Sequence, residues 1–223
     1  MYQLYTIGHS THTIERFVEL LKMNRVSAIC DVRSNPYSRY NPQFNRETIH
    51  NELKANKISY VFLGKELGPR SDDPACYTDG KVQYNRLAET AVFQQGLKRL
   101  KEGMRSYRIA LMCAEKDPIA CHRTILVCRN LLSKDIEIMH ILEDGNLEAH
   151  RETERRLMRE LKIPELALFE KPEELLERAY DKQSSKIAYN ADTSNDENQS
   201  YVVGKTHNIL YFSCQMIFFV DNR

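Results

Sequence analysis

The chain has no tryptophan, only 8 glycines and 7 prolines among 223 residues, and almost no net charge, with 32 Lys+Arg against 31 Asp+Glu for a formal +1. So close a balance removes any global attraction for a polyanion, and binding of nucleic acid would have to rest on local patches. Long apolar runs are missing too. The latest one, residues 209–220, falls short of the ~20 residues of a spanning helix and is interrupted by Ser213 and Gln215. The opening MYQLYTIGHS turns polar too early to make a secretory apolar core. A cytoplasmic protein without membrane contact is therefore expected, its six cysteines being thiols. No fixed-period repeat is present, which excludes solenoids and propellers.

What is present is alternation of element type. Short β-leaning runs at 3–7, 27–32, 59–63, 108–113 and 136–142 alternate with helical patterns at 13–22, 46–56, 84–101 and 118–133. Strands separated by helices require crossover connections, so the expected fold is α/β: a doubly wound, mostly parallel sheet of about five strands flanked by helices. This domain is expected over 1–163, with 147–161 as a charged amphipathic helix. A helical extension follows at 164–182, then a Ser/Asn/Asp-rich linker at 183–200 expected to be disordered, then an apolar tail at 201–223 with no assigned role.

In such a sheet the loops after the strands share one edge, where ligands bind. Those loops carry Gly8-His9-Ser10, Asp31-Val32-Arg33-Ser34, Gly64-Lys65-Glu66-Leu67-Gly68 and Cys113-Ala114-Glu115-Lys116-Asp117-Pro118. An imidazole, carboxylates, guanidinium groups and a thiol are the inventory of acid/base or nucleophilic chemistry. Asp117-Pro118 reads as the start of a helix whose N–H groups would lower the pKa of Cys113 and attract an anion. In that helix Cys121, Thr124, Ile125, Cys128, Leu131 and Leu132 form one stripe, with His122 and Arg123 beside it. Cys30 and Cys128 read as core residues, Cys121 is divided between core and crevice, and Asp31 with Arg33 is equally well a structural ion pair. Zinc held by Cys113, Cys121, His122 and His9 is an alternative, although seven residues between the thiols do not match the short knuckle of structural sites. A rhodanese-like sulfur-transfer reading fits the topology, but Glu115 and Asp117 would repel the anion and no glycine lets the backbone wrap the sulfur.

The ordered motifs TIGHS, DVRSNPYSRYNPQFN, YVFLGKELG and CAEKDPIACHR together resemble the prokaryotic family known as domain of unknown function 488, over about residues 2–161. DGNLEAHRETERRL resembles its last shared segment and brings in His150. The resemblance implies a common pocket at His9, Ser10, Asp31, Arg33, Arg39, Asn41, Phe44, Gly64, Gly68, Cys113, Glu115, Cys121, His122 and Arg123, without naming a reaction. In the loop 34–45, Tyr37, Arg39 and Tyr40 suit phosphate contact and base stacking. The leading expectation is an enzyme acting on an anionic small molecule or nucleotide, nucleic acid included. In it Cys113 is nucleophile or ligand, Glu115 or His122 the acid/base, and Arg33 and Arg123 clamp the anion. His9 and Asp31 form a positioning pair. The competing class is a non-catalytic nucleotide-binding module using the same arginines. The sequence assigns no cofactor beyond the zinc alternative and no oligomeric state.

Overall fold

The computed structural model describes residues 1–192; most of the expected linker and the apolar run at 209–220 lie outside them. Along the chain come β1 (Tyr2–Gly8), α1 (Ile14–Met23), β2 (Ala28–Asp31), α2 (Arg46–Ala55), β3 (Ser59–Phe62) and α3 (Gly64–Leu67). A small hairpin of β4 (Tyr77–Thr78) and β5 (Lys81–Val82) precedes α4 (Tyr84–Glu89) and α5 (Ala91–Gly103). Then follow β6 (Ile109–Cys113), β7 (Ile136–Ile141), β8 (Leu147–Ala149), α6 (His150–Glu160) and α7 (Pro172–Ile187).

The six-stranded sheet has the order β3-β2-β6-β1-β7-β8. All its pairs are parallel except β7 with β8. Helices cover both faces, so the inner strands read as apolar runs, and alternate residues feed opposite layers. Tyr5, Ile7, Ile29 and Met112 pack under α1 and α2 against Phe17, Leu21, Ile49 and Leu53. Leu4, Cys30, Leu111 and Ile138 pack on the other side against Leu97, Leu100, Ile125, Leu157 and Leu175.

Four expectations are corrected. The sheet has a sixth, antiparallel strand where a helix was expected from residue 147: Asp144-Gly145, with Gly145 at φ +95°, turns the chain back so that Leu147–Ala149 pairs with β7. The helix at 84–101 breaks at Thr90, whose hydroxyl accepts from the Phe93 N–H and starts α5 afresh. At 118–133 no single helix forms. Asp117 caps a 3₁₀ turn, Pro118–Ala120; Cys121 is extended (φ −131°, ψ 139°); and a π-helical turn follows at Arg123–Cys128, leaving Leu132 exposed. Finally, α7 continues to Ile187, into the expected linker, because Gln183 donates to the Ile119 carbonyl while Leu175, Ala179 and Tyr180 are buried in the core. No helix among the described residues is long and apolar enough to cross a membrane.

The ends of β1 and β6 approach so closely that a Cβ on Gly8 would lie 1.9 Å from the Glu115 carbonyl oxygen. Backbone cannot yield as a side chain can, so Gly8→Ala is expected to lower stability by about 1–3 kcal/mol. Urea denaturation read against wild type tests this; an unchanged midpoint would show that the 113–117 loop is not held against β1.

Candidate functional site

All the motif loops reach the carboxyl edge of the sheet, but strand alternation divides their side chains into two groups. The first lies on the α1/α2 side. Asp31, fully buried, accepts from Arg33 Nε at 2.9 Å and Nη2 at 2.7 Å, from the Arg33 N–H at 3.1 Å and from the Tyr60 hydroxyl at 2.8 Å. Arg33 also donates to the Phe44 carbonyl and meets His9 Nε2 at 3.2 Å. His9 stacks on Phe44, and its Nδ1 bonds the Ser10 carbonyl. With both ring nitrogens engaged, His9 is neutral: burial, then the charge of Arg33, lowers its pKa to about 4. Arg33 is therefore bonded inward, contrary to its expected place as an open anion clamp.

Other predicted positions serve the backbone. Ser10 turns the chain at φ +46° and donates its N–H to the Ala114 carbonyl. Phe44 is core. Gly64 and Gly68 allow α3 to press on Arg33 and Ser34, since a Cβ would meet the Arg33 carbonyl at 2.0 Å and Ser34 Oγ at 2.3 Å. Asn41 precedes the short turn that ends at Phe44. Arg39 is exposed, lies over the Tyr40 ring and donates to its hydroxyl.

The second group is chemical. Cys113 ends β6, and the extended backbone at Cys121 turns Cys121 and His122 back toward it. One ligand atom each from Cys113, Glu115, Cys121 and His122 lies within 4.8 Å of all the others. Glu115 Oε2 is 2.9 Å from both sulfurs, and His122 Nδ1 is 3.5 Å from Cys113 Sγ. The other imidazole nitrogen, Nε2, meets the Val32 carbonyl at 2.9 Å and so carries a proton; in the neutral ring this leaves Nδ1 as the nitrogen whose lone pair faces the thiols. The Arg123 N–H donates to Cys121 Sγ at 3.4 Å.

Burial pushes both thiols up, Cys121 furthest, with Cys113 as the next cause. Without a cation these sulfurs are therefore poor nucleophiles, contrary to the effect expected of a helix N-terminus. Burial alone would lower His122, yet Cys121 and Glu115 raise it overall. Burial would likewise raise Glu115, but His122 and the two thiol bonds bring it down. Tyr84, which sequence reasoning missed, is raised by burial and then by the same sulfurs, and so stays a neutral phenol beside them. Cys30, Cys76 and Cys128 are buried core thiols, Cys30 pushed up to about 12 by burial; Cys214 lies outside the described residues.

Arg123 is no clamp either. Fully buried, it donates to Thr6 Oγ1 and to the carbonyls of Glu115 and Lys116. In the zinc set expected from sequence, Glu115 stands where His9 was placed.

The family model described as domain of unknown function DUF488 matches residues 13–129. The chain belongs to that family. Neither a curated protein nor a solved structure matches the chain. The matched DUF488 stretch contains all four clustered residues, while His9, Ser10 and His150 lie outside it.

His150 sits away from the cluster, within a buried hydrogen-bonded chain in which Thr6, His140, Tyr180 and Glu154 carried no sequence signal. Thr6 Oγ1 meets His140 Nδ1 at 2.8 Å, His140 Nε2 meets His150 Nδ1 at 2.9 Å, and His150 Nε2 meets the Tyr180 hydroxyl at 3.0 Å. Tyr180 in turn donates to Glu154 at 2.8 Å. Since the Glu154 carboxylate only accepts, each donor is fixed in sequence back to Arg123, and both imidazoles are neutral Nε2–H tautomers.

Burial lowers His150 to about 4 and, with His150 as neighbour, lowers His140 well below its ordinary 6.5. The folded chain thus binds fewer protons than the unfolded one between about pH 6.5 and 4, so stability is full above that window and lost as pH falls through it. Going from pH 7 to 5 should cost about 2 kcal/mol for each histidine held near 4. Urea unfolding at both pH values checks this, and the drop should shrink by one histidine's share in His150→Gln. A flat profile would mean that these imidazoles are hydrated or charged in the fold.

Proposed function

We propose that the chain is an enzyme built around a zinc-class cation at Cys113, Glu115, Cys121 and His122. The observation that carries this reading is the convergence of four donor atoms of zinc-preferring types within 4.8 Å. Zinc–sulfur and zinc–nitrogen bonds at a tetrahedral angle set sulfur and nitrogen about 3.6 Å apart, close to the 3.5 Å between Cys113 Sγ and His122 Nδ1. Support also comes from the outer partners: the Val32 carbonyl orients the imidazole, and the Arg123 N–H reaches a sulfur, as partners of metal ligands do.

The substrate of this reading is an anionic small molecule or nucleotide, its charged group met by Arg39. That side chain is exposed and has Tyr40 as its described partner, with Tyr37 exposed on the same loop. A binding module relying on Arg33 and Arg123 is disfavoured by their inward bonds. Sulfur transfer through Cys113 is disfavoured by the carboxylate 2.9 Å from its sulfur.

Elemental analysis of the full chain purified without chelator should find about one zinc per molecule. Cys121→Ser and His122→Ala should each weaken zinc binding more than about 100-fold, beyond the range of outer partners, while Cys30→Ala leaves it intact. A substoichiometric trace, with no uptake when zinc is titrated in, would remove this reading.

A further inference from the structure

The four donors are not equivalent. Cys113, Cys121 and His122 are 2%, 1% and 4% exposed and belong to β6 or to the turn packed beneath it, whereas Glu115 is a solvent-exposed residue of the intervening loop. The Cys113–His122 spacing already suits one cation. Two ligands on zinc, one sulfur and one oxygen, should lie about 3.5 Å apart, but Glu115 Oε2 is 2.9 Å from both sulfurs. For a cation to enter, Cys113 and His122 can keep their spacing, while the carboxylate between the sulfurs, carried on a loop residue that otherwise reaches solvent, must withdraw.

We propose that Cys113, Cys121 and His122 are the standing ligands and that Glu115 is the base serving a water in the fourth position, which makes the site hydrolytic. This rests on the zinc reading above. Three protein ligands with one open position are the pattern of catalytic rather than structural zinc. In the step, Glu115 takes a proton from the bound water as its oxygen bonds to the substrate carbon. It then gives that proton to the leaving nitrogen or oxygen as the carbon–heteroatom bond breaks. Water is consumed and nothing is oxidised or reduced.

Charge selects the electrophile. A dication with two thiolates and a neutral imidazole is neutral, and the nearby guanidinium groups, Arg33 and Arg123, are already bonded within the protein. Phosphoryl transfer needs cationic clamps on several oxygens. Attack on a trigonal carbon develops charge on one atom only. The substrate class is therefore a carbonyl- or amidine-type carbon bearing an amine or alkoxide leaving group, with any anionic group bound away from the reacting atom.

The test uses the full chain with cobalt(II) in place of zinc, azide as a probe of the open position and 4-nitrophenyl acetate as a carbonyl probe. Azide should shift the visible cobalt spectrum saturably in wild type. Glu115→Gln should hold cobalt within about 100-fold of wild type, as an outer partner does. With zinc restored, wild type should turn over the ester, and Glu115→Gln should do so roughly 10²–10⁴-fold more slowly. The proposal is overturned by a spectrum indifferent to azide, by loss of metal from Glu115→Gln as severe as from Cys121→Ser, by a wild-type rate no faster than free zinc, or by equal rates in the two proteins. Failure of wild type to bind cobalt or zinc at all would instead remove the metal reading on which this rests.

Discussion

A guanidinium with no exposed surface and no carboxylate in ion-pairing reach among the described residues is the constraint around which this edge of the sheet is arranged. Removing such a cation from water costs several kcal/mol unless its donors are met and a counter-charge is close. The donors of Arg123 are met by Thr6 on β1 and by the carbonyls of Glu115 and Lys116, so one side chain fixes the loop after β6 against the middle of the sheet. Cys121, Cys113 and Glu115 hold the pKa of Arg123 up against the effect of its burial, and of the three Glu115 is the one ionised without a cation. With the proposed dication bound, two thiolates and the carboxylate would carry a net charge of −1, opposite to the guanidinium behind them. The anionic character of the cluster and the burial of Arg123 are therefore one arrangement.

That arrangement extends to the C-terminal helices. Thr6 accepts from Arg123 and so must donate to His140, which fixes His140 to donate to His150 and His150 to Tyr180. The chain ends on Glu154, so α6 and α7 contribute to the orientation of Arg123. Such a network holds only while each member is satisfied, because an unpaired polar group in this interior would cost about 1–3 kcal/mol. This is why α7 is part of the domain core and not an appendage.

Strand positions were legible in the sequence because parallel strands buried on both faces leave apolar runs between helical patterns. Cys113, Glu115 and His122 were legible because a strand ending in thiol and carboxylate, followed by Asp-Pro, has few bland explanations. The break at Cys121 was not: Asp117-Pro118 opens a 3₁₀ turn as readily as an α-helix, and the choice is made by where the sulfur and Arg123 must reach. Charged residues at strand ends were seen, but not whether their hydrogen bonds were already satisfied, which removed His9, Arg33 and Arg123 from open positions. His140 looked ordinary because its partners lie 134 and 10 residues away. β8 is three residues long, too short for a period to declare itself.

The two groups at the sheet edge are also joined through backbone. Asp31 and Arg33 flank Val32, and their ion pair clamps the chain on both sides of it. The Val32 N–H donates to the Met112 carbonyl, and its own carbonyl receives Nε2–H of His122. The buried pair on the α1/α2 side thereby helps to keep a proton on Nε2 of the imidazole on the other side, with Nδ1 toward the sulfurs. A weakened clamp would let the Val32 carbonyl drift and free His122 to place its proton on either nitrogen, so that the lone pair facing the sulfurs would be lost in part of the population. Asp31 and Arg33 thus bear on His122 through one carbonyl oxygen, while Arg33 and Cys113 also act on each other through their charges.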